Sequence, residues 1–269
     1  MKTSGKTLAE KVQQIKKERL FQVRSSALPT WCPGCGYFGI HQGLNAAIRE
    51  LALPHHEVVI VSGIGCAGRY PFFSDTYGLH AVHGRALPVA TGVKLANPKL
   101  TVYVVGGDGD GLAIGGGHFP HVARRDIDIK YLLFDNSIYG LTKGQPSPSS
   151  PVGTMTKASP QGTADQPLNA TLLALTYGAS YVARLFAGDP EGIARAVVEG
   201  TKQRGFAFFH IYSSCVTFDK SFKTWDNLKK RIRPLPSDHD PTNRRQAFDR
   251  VLEDDFTVGT FFKRDERGL

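Results

Sequence analysis

TVYVVGGDGDG (101–111) and YLLFDN (131–136) decide the reading of this 269-residue chain. Each is a short run of β-branched or aromatic residues that stops at a tight polar turn, Gly107-Asp108-Gly109-Asp110-Gly111 in the first and Asp135-Asn136 in the second. Short apolar runs bounded by glycine fit buried parallel strands. Working outward, Val58–Val61 is a similar run ending in Gly63-Ile64-Gly65, and Ala179–Ala183 and Phe206–Tyr212 are later candidates. Helical spacing lies between them. Ile40, Leu44, Ala47, Ile48 and Leu51 share one face, as do Ile193, Ala194, Val197 and Val198 after the entry signal Asp189-Pro190. The alternation predicts an α/β fold, an open and mostly parallel sheet with helices on both faces. In such sheets ligands sit beyond the carboxyl ends of strands, where these glycine-rich turns fall.

The turns carry a chemistry. Glycines at a strand end let backbone N–H groups approach a diphosphate. A diphosphate is normally held through a hard cation, and Mg²⁺ asks for oxygen ligands in octahedral geometry. Asp108 offers a carboxylate, Asn136 an amide oxygen and Ile138 a backbone carbonyl. The 28 residues from Asp108 to Asn136 suit one helix and one strand, which brings two neighbouring strand ends together. GDG at one strand end with Asn at the next resembles the thiamine-diphosphate motif, which ends in two asparagines. The first of these is Asp135 here.

Four cysteines, Cys32, Cys35, Cys66 and Cys215, are the second constellation. Four thiolates satisfy either a tetrahedral Zn²⁺ or a [4Fe–4S] cluster, and spacing alone does not separate the two. A reducing compartment argues against disulfides. The net charge is +9, with basic runs at both ends (Lys16, Lys17, Arg19; Lys229, Lys230, Arg231, Arg233). These runs are not interleaved with aromatics, so no nucleic-acid partner is expected; they read as a solvated face, or in the sharper reading as a docking surface for an acidic protein or an anionic substrate. No apolar run approaches the ~20 residues that span a bilayer. The charged start lacks a secretory apolar core, which predicts a cytoplasmic protein without a membrane partner.

WCPGCG (31–36), GIGCAGR (63–69), HAVHGRALPVATGVKLANP (80–98), GGDGDGLAIGGGH (106–118) and LLFDNSIYGLTKGQPSP (132–148) together resemble the β subunits of 2-oxoacid:ferredoxin oxidoreductases, most closely the 2-oxoglutarate members. The resemblance runs from about Trp31 to Cys215. It implies a [4Fe–4S] cluster on Cys32, Cys35, Cys66 and Cys215. It implies thiamine diphosphate with Mg²⁺, contacted by Ile64, Gly65, Cys66, Ala67, His83, Gly107, Asp108, Gly109, Asp110, Asn136, Ile138, Gly140 and Leu141. His83 and Lys143 are the implied catalytic residues, with Lys143 facing the 2-oxoacid; Arg69 is a weaker anion-binding candidate. The implied reaction is reversible oxidative decarboxylation of a 2-oxoacid with coenzyme A, reducing ferredoxin. The implied partners are that ferredoxin and an α subunit supplying the aminopyrimidine-binding domain, in an (αβ)₂ heterotetramer.

The expected organisation is a basic N-terminal arm (1–30), the cofactor domain (31–215) and a C-terminal arm (216–269) that wraps a neighbour. Gly144–Gln166, rich in Pro, Ser, Thr and Gly, reads as a functional loop. Two competing readings are a non-redox thiamine-dependent decarboxylase or synthase subunit with structural zinc, and a basic nucleotide- or nucleic-acid-binding module. A pyruvate or broad-range 2-oxoacid enzyme is the nearest alternative within the family.

Overall fold

The computed structural model describes residues 27–219 and 223–265. Most of the expected N-terminal arm, residues 1–26, lies outside these. Among the described residues there are ten strands: β1 (Val58–Ser62), β2 (Tyr77–His80), β3 (Thr101–Gly107), β4 (Lys130–Asp135), β5 (Ile138–Tyr139), β6 (Gln145–Pro146), β7 (Tyr181–Phe186), β8 (Ala207–Tyr212), β9 (Arg233–Pro234) and β10 (Thr257–Lys263). Eight form one sheet in the order β2-β1-β3-β4-β8-β7-β10-β9, and β5 and β6 make a separate small hairpin. Every pairing in the large sheet is parallel except β10 against β7.

Alternation along each strand explains the layers. Val58 and Ile60 of β1, Tyr103 and Val105 of β3, and Leu132 and Phe134 of β4 enter one core, covered by α1 (Tyr37–Glu50). Their neighbours Val59, Val61, Val102, Val104, Tyr131 and Leu133 enter the other core, under α2 (Ala86–Ala96), α3 (Phe119–Arg124) and α4 (Ala170–Thr176). The first core is also covered by α5 (Pro190–Lys202), through Ile193 and Val197. Asp189 caps α5 by accepting from Gly192 N at 2.8 Å, the role its place before Pro190 predicts. Helices on both faces of a mostly parallel sheet are the expected architecture. Among the described residues no helix is long and apolar enough to cross a membrane.

Two strands differ from expectation. β2 is an edge strand whose four residues are all exposed, so no alternation marks it. β10 lies in the segment expected to be an arm. It joins the sheet through Phe261, which is fully buried in the second core. The chain after Cys215 therefore returns to its own sheet through α6 (Trp225–Arg231), β9, α7 (Arg244–Glu253) and β10. Phe261→Ala is expected to destabilise the chain by about 3–5 kcal/mol in urea unfolding. A loss under about 1 kcal/mol would show β10 to be peripheral.

Candidate active site

Three adjacent strand tips build the site. β1 runs out into Gly63–Ala67, β3 into Asp108 and a π-helical turn (Gly109–Ile114), and β4 into Asn136. These strands are neighbours in the order β1-β3-β4, so their tips converge on one cleft of about 530 Å³. Ile64 to Ala67, His83, Gly107 to Asp110, Asn136, Ile138, Gly140 and Leu141 all line it. Tyr37, Tyr139, Thr142 and Gln145 line it too, and no sequence motif singles them out. Lys143 does not line it. That residue is exposed on the β5–β6 turn, with φ +78°, one residue beyond Thr142. Arg69 donates to Thr30 Oγ1 at 3.2 Å.

Asp110 holds the floor together. Its Oδ1 accepts from Ile64 N at 2.9 Å, Gly84 N at 2.7 Å and His83 Nδ1 at 2.7 Å. One buried carboxylate thus ties the β1 loop and the His83-Gly84 turn to the π-helical turn. Nδ1 faces Asp110, which leaves Nε2 of the half-exposed His83 ring turned away from that carboxylate.

Asp108 and Asn136 are both buried. Asp108 Oδ2 accepts from Ser147 Oγ and from Ser149 Oγ, the latter at 2.9 Å. Among the described residues nothing donates to Oδ1. Burial, and then the Asp135 carboxylate, push Asp108 up to about 7. A buried carboxylate with one free oxygen and no cation of its own suits a metal ion. Asn136 Nδ2 donates to Tyr37 Oη at 2.9 Å, which fixes the amide, and its Oδ1 accepts from Ile138 N at 3.2 Å. Burial, then the Asp108 charge, raise Tyr37 well above the usual phenol range, so its hydroxyl stays protonated.

Behind Asp108 lies a buried charged group. Asp135 Oδ1 takes Lys223 Nζ at 2.6 Å and Ser149 Oγ at 2.7 Å, and its Oδ2 takes His210 Nε2 at 2.7 Å. Burial opposes the charge, but Lys223 and His210 hold Asp135 well below the usual carboxylate range. Ser147 and Ser149 come from the Pro- and Ser-rich loop, so that loop is ordered at its start by the two carboxylates.

Cys66 and Cys215 meet at one end of the cleft; among the described residues no three of His, Cys, Asp or Glu are grouped closely enough to hold a metal ion. A Cβ added to Gly140 would lie 3.6 Å from both Cys66 Sγ and Cys215 Sγ. Gly36 lets the Cys32–Cys35 loop approach the end of β8, where a Cβ would meet Ser213 Oγ and Ser214 N. Gly36 N donates to Ser214 O at 3.3 Å, which seats the loop beside Cys215. Burial, reinforced by the charges of Cys215, Cys66 and Cys32, pushes the Cys35 thiol up to about 12. Ser213 Oγ is buried with no partner among the described residues. Half-buried thiols at Cys35 and Cys66 beside an orphaned hydroxyl would suit a metal centre with acceptor atoms.

Residues 55–211 match the family described as thiamine pyrophosphate enzyme, C-terminal TPP binding domain. Residues 215–268 match the family of the C-terminal part of the pyruvate ferredoxin oxidoreductase β chain. The 2-oxoglutarate oxidoreductase subunit KorB of Mycobacterium tuberculosis is 44% identical over 200 residues, 74% of this chain and 53% of that protein. The chain thus spans about half the length of that relative. The 2-oxoacid:ferredoxin oxidoreductase subunit beta of a Sulfolobus species is 40% identical over 250 residues, 87% of this chain and 82% of that one. A solved structure, the 2-oxoglutarate:ferredoxin oxidoreductase from Magnetococcus marinus with 2-oxoglutarate, coenzyme A and succinyl-CoA bound, superposes with a TM-score of 0.89. It is 42% identical, over 92% of this chain and 85% of that one.

The geometry makes Tyr37 the residue that orients Asn136. Tyr37→Phe is expected to weaken Mg²⁺-dependent binding of thiamine diphosphate about tenfold or more in calorimetric titration. Unchanged affinity would show that the amide is fixed by other means.

Proposed function

Because this chain belongs to the β-subunit family of the 2-oxoacid:ferredoxin oxidoreductases, we propose that it is the thiamine-diphosphate and [4Fe–4S] subunit of a coenzyme A-dependent 2-oxoglutarate:ferredoxin oxidoreductase. The reaction is 2-oxoglutarate plus coenzyme A and two oxidised ferredoxins to succinyl-CoA, carbon dioxide, one proton and two reduced ferredoxins, reversible under strong reductant. The observation that carries this reading is the meeting of Asp108 and Asn136 at neighbouring strand ends, beside Cys66 and Cys215.

Asp108, Asn136 and the Ile138 carbonyl hold Mg²⁺ against the diphosphate, and Cys32, Cys35, Cys66 and Cys215 ligate the cluster. When bound, thiamine diphosphate supplies the electron sink for decarboxylation and the cluster supplies one-electron transfer. The glycine turns of β1 and β3 present backbone to the diphosphate. Asp110 holds His83 so that Nε2 takes or returns a proton in the cleft. Lys143, at the rim, pairs with a carboxylate of the 2-oxoacid once substrate is present.

An α subunit supplies the aminopyrimidine-binding domain, in an (αβ)₂ heterotetramer. The basic balance of the chain suits an acidic ferredoxin. The cytoplasm provides the reducing setting that the thiolates need.

Anaerobic co-purification with the α subunit tests the reading. A brown protein with about four irons per chain is expected; a colourless one with a single zinc contradicts it. Turnover should be faster with 2-oxoglutarate than with pyruvate, and the reverse order reassigns the substrate. Asp108→Asn should abolish Mg²⁺-dependent retention of thiamine diphosphate. Lys143→Ala should raise the KM for 2-oxoglutarate far more than that for coenzyme A, and an equal effect on both would remove Lys143 from the substrate.

A further inference from the structure

Asp135 stands where the thiamine-diphosphate motif carries asparagine, so the site holds a second buried carboxylate beside Asp108. The two are no farther apart than two hydrogen bonds, since Ser149 Oγ lies 2.9 Å from Asp108 Oδ2 and 2.7 Å from Asp135 Oδ1. One hydroxyl has one proton and cannot donate to both. Two unneutralised carboxylates this close in a buried site repel strongly.

The neighbouring histidine does not remove the conflict. Arg184 Nε donates to Thr171 Oγ1 at 3.2 Å, and the Thr171 hydroxyl faces His210 Nδ1 at 2.9 Å. Burial holds the His210 pKa below the usual imidazole range, so the ring is neutral and Nδ1 accepts from the Thr171 hydroxyl, whose oxygen also accepts from Arg184. His210 is therefore the neutral tautomer that donates from Nε2 to Asp135. The full positive charge on Asp135 comes from Lys223 Nζ, itself buried and 2.6 Å from Oδ1.

Lys223 comes from the chain after Cys215. It directly precedes Thr224, whose side chain caps α6 by accepting from Asn227 N at 3.3 Å. Two residues on, Trp225 Nε1 donates to Gly34 O at 2.8 Å, inside the Cys32–Cys35 loop. The short segment that neutralises Asp135 is thus pinned to the cysteine loop.

We propose that Lys223 is a positioning residue for the Mg²⁺–diphosphate site. It occupies the cation position on Asp135, leaves the Ser149 proton to Asp108, and so limits an incoming metal ion to one carboxylate, that of Asp108. This rests on the Mg²⁺–thiamine diphosphate reading of the cleft. Without Lys223, Asp135 competes for the Ser149 proton and for the metal, and Asp108 loses its fixed orientation.

Mn²⁺ titration by electron paramagnetic resonance, on the complete complex with thiamine diphosphate present, tests the proposal. Lys223→Met keeps the apolar stem and should weaken Mn²⁺ binding about 10- to 100-fold, whereas Asp135→Asn combined with Lys223→Met removes both charges and should restore affinity to within about threefold of the native value. Native-like binding by Lys223→Met overturns the proposal. So does a double variant that melts cooperatively yet binds as weakly as the single one, because that marks a general packing role. If Lys223→Met does not fold, the double variant alone decides, by the same threefold criterion. Failure of the native complex to bind Mn²⁺ overturns the reading of the cleft and the proposal together; native binding with an unaffected Lys223→Met overturns the proposal alone.

Discussion

Two carboxylates reach the same buried serine hydroxyl from neighbouring strand ends, and much of the site follows from making that tolerable. Asp108 directly follows β3 and Asp135 ends β4, and the two strands pair in parallel from Tyr103 against Lys130 to Gly107 against Phe134. The sheet therefore fixes the two backbones side by side, and only side-chain chemistry separates their roles. Asp135 is saturated by Lys223, His210 and the Ser137 amide, which leaves the Ser149 proton to Asp108. Asp108 receives hydroxyls on one oxygen and keeps the other free. Burial raises both carboxyls, but Lys223 and His210 outweigh it at Asp135, whereas at Asp108 burial and the neighbouring Asp135 carboxylate prevail.

The rest of the fold serves this asymmetry. The parallel sheet delivers the β1, β3 and β4 tips to one cleft. Asp110 then locks the loops around it, and Tyr37 orients Asn136 from the start of α1. Tyr37 also follows Cys35 and Gly36 directly, so the helix that aims the Asn136 amide begins where the cysteine loop ends. The segment beyond Cys215 closes from the opposite side, with Lys223 on Asp135 and Trp225 on Gly34. Thiol site and carboxylate site thus share two covalent connections, and a displacement of the cysteine loop is felt at both.

Much of this is legible in the sequence, for physical reasons. β1, β3, β4 and β8 are buried on both faces, and their unbroken apolar runs announce them. The pattern places β7 two residues early, because Ala179 and Ser180 are as buried as the strand itself. β2 escapes because an exposed edge strand has no core side to enforce a pattern. β10 escapes because its pairing with β7 lies some eighty residues back along the chain and its flanks are polar. The strand-tip residues are legible because glycine, Asp and Asn after an apolar run have a local meaning. Lys223, His210 and Tyr37 have none. Each acts on a residue 75 to 99 positions away, and a lone lysine or tyrosine does not advertise such a partner. The serines of the 144–166 loop stand out as composition only; their role needs the buried acceptors that the fold brings to them.

The most direct measurement is anomalous diffraction at the manganese and iron edges, from anaerobic crystals of the complete complex loaded with thiamine diphosphate and Mn²⁺. The account predicts one manganese peak within coordination distance of Asp108 Oδ1, Asn136 Oδ1 and the Ile138 carbonyl, none at Asp135, and an iron peak amid the four cysteine sulfurs. A manganese peak bridging both carboxylates, or one away from Asp108, would contradict it.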